Sequence, residues 1–133
     1  MKHSEVIAKW VGKWYAETPQ LWFQCVWWAK KYCEERGYPI KSFWGSAWNG
    51  WVTWKPFDKW WKKVVKTPFN APSEWDIIFW DEWRCKYGHV AVANKFCNLW
   101  LLRYTDQNGT GKQDKIQARF STYKNVVGWM TKL

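Results

Sequence analysis

Few residues in this chain could serve as nucleophile or base: four cysteines, Cys25, Cys33, Cys85 and Cys97, and two histidines, His3 and His89. A thiolate attacks far better than a thiol, and the positive end of a helix dipole is one way to favour it. Only Cys25 is expected at such a place, in or just before the first turn of a helix. Cys33 lies eight residues on (33 minus 25), about 12 Å along a helix. That spacing rules out a disulfide between them within the helix, and Cys33 reads as a small buried hydrophobe. Cys85 and Cys97 follow no C-x-x-C pattern, and no further His or Cys cluster completes four zinc ligands, so both read as inert thiols.

His3 sits in a terminus expected to fray, which leaves His89 as the base. It opens a predicted strand after Tyr87-Gly88, where glycine lets the chain turn sharply and come close to a ligand. An imidazole base needs an acceptor that fixes its tautomer. Asp106 and Asn108, in Thr105-Asp106-Gln107-Asn108, close the next strand, and if His89 begins its neighbour, they share one edge of an antiparallel hairpin. Both stand as candidates to orient the ring.

The elements that must position these groups follow from periodicity. Ser4 can cap a helix in which Val6, Ile7, Trp10, Val11 and Trp14 recur at helical spacing, ending near Tyr15. In a second helix Cys25, Trp28, Ala29, Tyr32 and Cys33 form one stripe, Lys30, Lys31, Glu34 and Glu35 face water, and Gly37 is the stop. Ser46 to Trp54 predicts a third, shorter helix. Pro56, Pro68 and Pro72 then punctuate a loop-rich stretch containing the basic run Lys59 to Lys66. Strand-like runs follow at Trp75 to Trp80, His89 to Asn94, Leu99 to Tyr104, Lys115 to Phe120 and Val126 to Trp129, separated by turns such as Asn108-Gly109. Helices first and an antiparallel sheet afterwards make the class α+β.

The 133 residues fit one domain, 1–133, with no repeat and no linker. Lys2, Lys9 and Lys13 interrupt the N-terminal segment, so no signal peptide is read, and no stretch approaches the ~18 apolar residues of a membrane span. Without a signal the expected compartment is reducing, so disulfides are not the default. The formal net charge of +10 (21 Lys and Arg minus 11 Asp and Glu) favours polyanions: nucleic acid, anionic lipid or anionic cell-wall polymer. Sixteen tryptophans suggest an aromatic surface for sugars or bases, but core and groove wall is the preferred reading for most of them.

Four segments carry a family resemblance: Phe23-Gln24-Cys25-Val26-Trp27-Trp28-Ala29, Gly45-Ser46-Ala47-Trp48, Pro72-Ser73-Glu74-Trp75-Asp76-Ile77-Ile78-Phe79-Trp80, and Tyr87-Gly88-His89-Val90-Ala91, followed by Asp106-Gln107-Asn108. In order and spacing they resemble the CHAP family, the cysteine, histidine-dependent amidohydrolases and peptidases of the papain-like NlpC/P60 group, from about Trp10 to Trp129. The resemblance implies a papain-like fold with N-terminal helices on an antiparallel sheet. It implies Cys25 as nucleophile, His89 as general base, Asp106 and Asn108 at the orienting positions, Gln24 as an oxyanion-hole side chain, and Trp27, Trp48 and Tyr87 as substrate-binding residues. Many relatives carry Glu where this chain has Asp106. Some phage members have an acidic calcium loop before the cysteine, but Ala16 to Trp22 lacks the carboxylates that calcium needs. No metal and no cofactor are expected.

Trp75, Trp44 and Trp22 fall at positions the family tends to give to glycine. Either the chain has diverged, or its gene comes from an organism that decodes one codon as Gly where this sequence shows Trp; strained loops at Trp44 and Trp75 would mark the second case. The function implied is a peptidoglycan amidase or endopeptidase resembling phage endolysins, a monomer that acts on the wall after release from the host cytoplasm, held by anionic wall polymers. The alternatives are a catalytically impaired wall-binding domain and a basic nucleic-acid module. The latter would use Lys59, Lys62, Lys63 and Lys66 as a patch and Trp54, Trp60 or Trp61 as stacking platforms, though no recognisable RNA or DNA motif supports it.

Overall fold

The computed structural model describes residues 1–15, 25–40, 47–53, 61–81, 88–108 and 115–133, without the side chains of Asn49 and Thr53. Three helices, α1 (His3–Trp10), α2 (Cys25–Arg36) and α3 (Ala47–Thr53), precede all the strands of a six-stranded sheet. The strands are β1 (Trp61–Val65), β2 (Ile77–Trp80), β3 (His89–Ala93), β4 (Leu102–Asp106), β5 (Gln117–Ser121) and β6 (Val126–Lys132). They lie in the order β1-β6-β2-β3-β4-β5, with every pairing antiparallel. The class is α+β.

Helix α2 follows its sequence pattern. Trp28, Ala29, Tyr32 and Cys33 are buried on one stripe with Val26, and Gly37 ends the helix at a φ of +88° that only glycine adopts without cost. Helix α1 differs from expectation at both ends. Lys2 is its N-cap and Ser4 lies inside it; the Glu5 carboxylate accepts from the Lys2 N–H at 2.9 Å, the return half of a capping box. It stops at Trp10 because Val11 to Tyr15 turns to bond elsewhere: Gly12 N–H donates to the Ile116 carbonyl, and Ile116 N–H to the Lys13 carbonyl.

Every residue of β2 and β3 is buried. Antiparallel sheets often leave one face to water, but these two central strands are buried on both. Ile77, Phe79, Val90 and Val92 pack with Trp28, Ala29, Tyr32 and Cys33. Their alternates Ile78, Trp80, Ala91 and Ala93 pack with Leu102, Tyr104 and Trp129. Most of the tryptophans in the two cores are walls: Trp28, Trp51, Trp61, Trp80 and Trp129 are all buried. An indole N–H locks helix to sheet where Trp28 Nε1 donates to the Thr105 carbonyl at 3.0 Å.

The basic run contains a strand, β1, which the charges hide in the sequence. Trp61 turns in, Lys62 turns out, and the strand closes one edge of the sheet against β6. With Trp61 only 3% exposed, it cannot be a stacking platform. Lys63 Nζ donates to the Trp51 carbonyl at 2.9 Å and sits over the Trp51 ring, and Lys66 bonds the carbonyls of Thr67 and Asn70. Lys59, Trp54 and Trp60 lie outside the described residues.

Candidate active site

Cys25 is the first residue of α2 and is half-buried, at the end where the helix dipole favours negative charge. His89 is the first residue of β3, only 3% exposed. Gly88 delivers it with a φ of +71°, in a space so tight that a Cβ there would lie 2.9 Å from the Trp80 carbonyl oxygen and 3.1 Å from the Trp48 N and Cβ atoms. Glycine is thus needed for close approach to the chain's own backbone, where the sequence suggested approach to a ligand.

The ring of His89 is held at Nε2, which bonds Asp106 Oδ2 at 2.8 Å. Cys25 is close enough for its side chain to act on the imidazole. The Trp80 ring packs against the imidazole at 5.1 Å between centroids. Burial alone would push the His89 pKa down, but the charge of Cys25, the hydrogen bonds to Asp106 and Cys25, and the charge of Asp106 outweigh it and raise it to about 9.

Asp106 is the last residue of β4 and fully buried. Its second oxygen, Oδ1, accepts from Arg119 Nε at 2.7 Å. Arg119 is the functional residue that sequence reasoning missed. Its place follows from the β4–β5 register, in which Tyr104 pairs with Arg119 and Asp106 with Gln117. Asp106 and Arg119 are therefore diagonal neighbours of opposite charge on one face.

Asn108 does not meet the imidazole in any described hydrogen bond; its φ is +60° and its Oδ1 is buried without a hydrogen-bond partner. Gln107 between them is a clamp, accepting from the Tyr15 N–H and donating to the Tyr15 carbonyl, both at 2.8 Å. It ties the end of β4 to the segment that follows α1. Of the other expected residues, Trp27 is half-buried with Lys30 Nζ over its ring, and Trp48 is half-buried against the helix-side core. Gln24, Tyr87 and Cys85 lie outside the described residues. Burial pushes the thiols of Cys33 and Cys97 up. Among the described residues no group of His, Cys, Asp or Glu is arranged to hold a metal.

His3 is not frayed: it is 6% exposed, its Nδ1 lies 2.7 Å from Tyr32 Oη, and burial lowers its pKa. It braces α1 against α2. Trp75 has a φ of +91°, a backbone that glycine takes without cost. The bonds from Trp75 N–H to the Ala93 carbonyl and from Ala93 N–H to the Asp76 carbonyl hold that turn on β3, while the indole lies out over the Arg36 guanidinium at 4.1 Å. Trp44 and Trp22 lie outside the described residues.

No protein-family model and no curated protein matches the chain. Solved structures do. The wild-type endolysin LysIME-EF1 aligns with a TM-score of 0.75 at 18% identity over 98% of this chain and 64% of that one. An N-acetylmuramoyl-L-alanine amidase from Staphylococcus aureus aligns with a TM-score of 0.62 at 15% identity over 92% of this chain and 35% of that one. The chain thus spans just under two thirds of the endolysin and about a third of the amidase, and what it shares with both is the fold.

Proposed function

We propose that this chain is a peptidoglycan hydrolase of the CHAP type, with a papain-like fold, in which Cys25, His89 and Asp106 cleave an amide bond. The observation that carries the reading is the buried imidazole, bonded through Nε2 to a buried carboxylate, with the Cys25 thiol at a helix N-terminus near enough for its charge to act on the ring. The fold shared with an endolysin and an N-acetylmuramoyl-L-alanine amidase supports the substrate class.

In this reading the proton shared by Cys25 and His89 rests on the imidazole, and the thiolate attacks the amide carbon, forming the S–C bond. As the tetrahedral intermediate collapses, the C–N bond breaks and the imidazolium gives its proton to the leaving amine. Water then attacks the thioester, His89 accepts one of its protons, the C–S bond breaks to regenerate the thiolate, and the acid product leaves, losing its remaining proton to solvent. Asp106 keeps the ring oriented throughout. Gln24 would donate to the oxyanion, a contribution often worth ~3 kcal/mol, and Trp27, Trp48 and Tyr87 would line the groove. The charge of +10 would hold the enzyme on anionic wall polymers. Its setting would be that of a phage endolysin, made in the host cytoplasm and acting on the wall after release as a monomer without cofactor.

Cys25→Ala should abolish turbidity loss of purified cell walls while leaving the thermal melt unchanged; undiminished lysis would sink the mechanism. Mass spectrometry of the digest assigns the bond, N-acetylmuramoyl-L-alanine against a link within the peptide.

A further inference from the structure

We propose that Arg119 is a positioning residue for the His89 imidazole, acting through Asp106; this rests on the Cys25–His89 reading above. Asp106 is fully buried, and a buried carboxylate persists only where its charge and lone pairs are compensated. The structure divides that task between its two oxygens: Oδ2 takes His89 Nε2 at 2.8 Å and Oδ1 takes Arg119 Nε at 2.7 Å. Among the described contacts Arg119 reaches Asp106 and neither Cys25 nor His89. It keeps its proton at any working pH and its guanidinium is planar, so its bond fixes both the charge and the direction of the carboxylate.

A carboxylate held at one oxygen can swing or take up a proton. Held at both, it presents Oδ2 in one place, which pins Nε2–H and leaves Nδ1 to exchange the proton with Cys25. Backbone pairing sets the bond: Arg119 comes from β5 two residues along from the partner of Asp106, and its side chain is 21% exposed.

Arg119→Gln removes the charge, and Arg119→Lys keeps it without the planar fork. With Gln, Oδ1 loses its charged partner, the carboxylate is free to turn away from Nε2, and the less well held imidazolium gives up its proton at lower pH. The expected result on purified cell walls is a kcat lower by about tenfold to a hundredfold with KM within about twofold. The alkaline limb of the pH profile should move down by about one unit. Arg119→Lys should recover part of kcat and return the limb toward the wild-type position. A wild-type limb in Arg119→Gln, or a lost kcat that Lys does not restore, would overturn the proposal.

Alkylation of Cys25 by iodoacetamide across the same pH range needs no wall substrate and is read in parallel. If the wild type fails to cleave walls, the substrate reading falls, and the alkylation profile alone decides the role of Arg119. Thermal melts accompany each variant; if Arg119→Gln does not fold, the kcat and pH limb of Arg119→Lys decide, and wild-type values for both would overturn the role.

Discussion

Asp106→Asn is the change that most directly tests how the imidazole is held. Both carboxylate oxygens accept from N–H donors, His89 Nε2 and Arg119 Nε. Asparagine offers one acceptor and one NH2, so it can serve one donor while its nitrogen faces the other. Losing one partner of a buried ion pair costs ~3–5 kcal/mol. Because the Arg119 side chain is 21% exposed and can turn to water, about 2–3 kcal/mol is expected here.

The effect on chemistry should be larger. If the amide oxygen turns to Arg119, His89 faces an NH2, the opposite tautomer is favoured, and the nitrogen toward Cys25 carries a proton and cannot accept one. The matching change in a serine triad lowers kcat by about 10⁴. If the oxygen turns to His89, a neutral bond survives, so the floor for the loss is about a hundredfold. Steady-state rates on dye-labelled cell walls, with urea denaturation at neutral pH, measure both. Asn108→Ala is the control: because Asn108 Oδ1 has no hydrogen-bond partner, its loss should leave kcat within about fivefold. More than a tenth of the activity surviving in Asp106→Asn, or a larger loss in Asn108→Ala, would refute this account of the site.

The pH dependence of stability follows from His89. Its folded pKa is raised from 6.5 to about 9, above the unfolded value, so its contribution is full below about pH 6.5 and is lost as pH rises through about 9. Urea midpoints should fall across that window in the wild type and stay flatter in His89→Gln, and activity should decline near the same pH. Gly88→Ala places a Cβ 2.9 Å from the Trp80 carbonyl oxygen at a φ of +71°, which should cost about 2–3 kcal/mol and reduce kcat beyond that loss by displacing His89; unchanged kcat would refute the placement. For Trp75, substitution by Ala and by Gly both remove the Arg36 stack, but only Gly relieves the backbone, so Trp75→Gly should be about 1 kcal/mol more stable than Trp75→Ala. Equal melting temperatures would show that the φ of +91° is not strained.

What could be read in the sequence was whatever local physics decides. Helix α2 was legible from its stripe and Gly37, and β2 and β3 from short apolar runs. Strand β1 was hidden because Lys62 and Lys63 obscure a strand whose pairing partners, Gly128 to Lys132 of β6, come far later in the chain. The Cys25 and His89 positions were visible by residue type and spacing, and Asp106 and Asn108 only as alternatives. Their separation depends on which side chain turns under the strand end, and that is set by the pairing of β4 with its neighbours. Arg119 was invisible for the same reason, since its meaning depends on a two-residue register offset. His3 was misjudged because burial of a terminus depends on Tyr32 and Glu74 being there to receive it.

The bond from Trp28 to the Thr105 carbonyl acts as an index pin. Trp28 lies one turn beyond Cys25, and Thr105 immediately precedes Asp106, so this contact keys the roll of the nucleophile's helix to the strand that carries the acid. A sulfur about 5 Å from a helix axis moves roughly 1 Å for a roll of about 12°, a misplacement that can cost about a hundredfold in rate. A substitution that keeps an aromatic ring in the core but loses this one N–H, such as Trp28→Phe, would leave a protein that folds and holds every reacting group, yet is out of alignment.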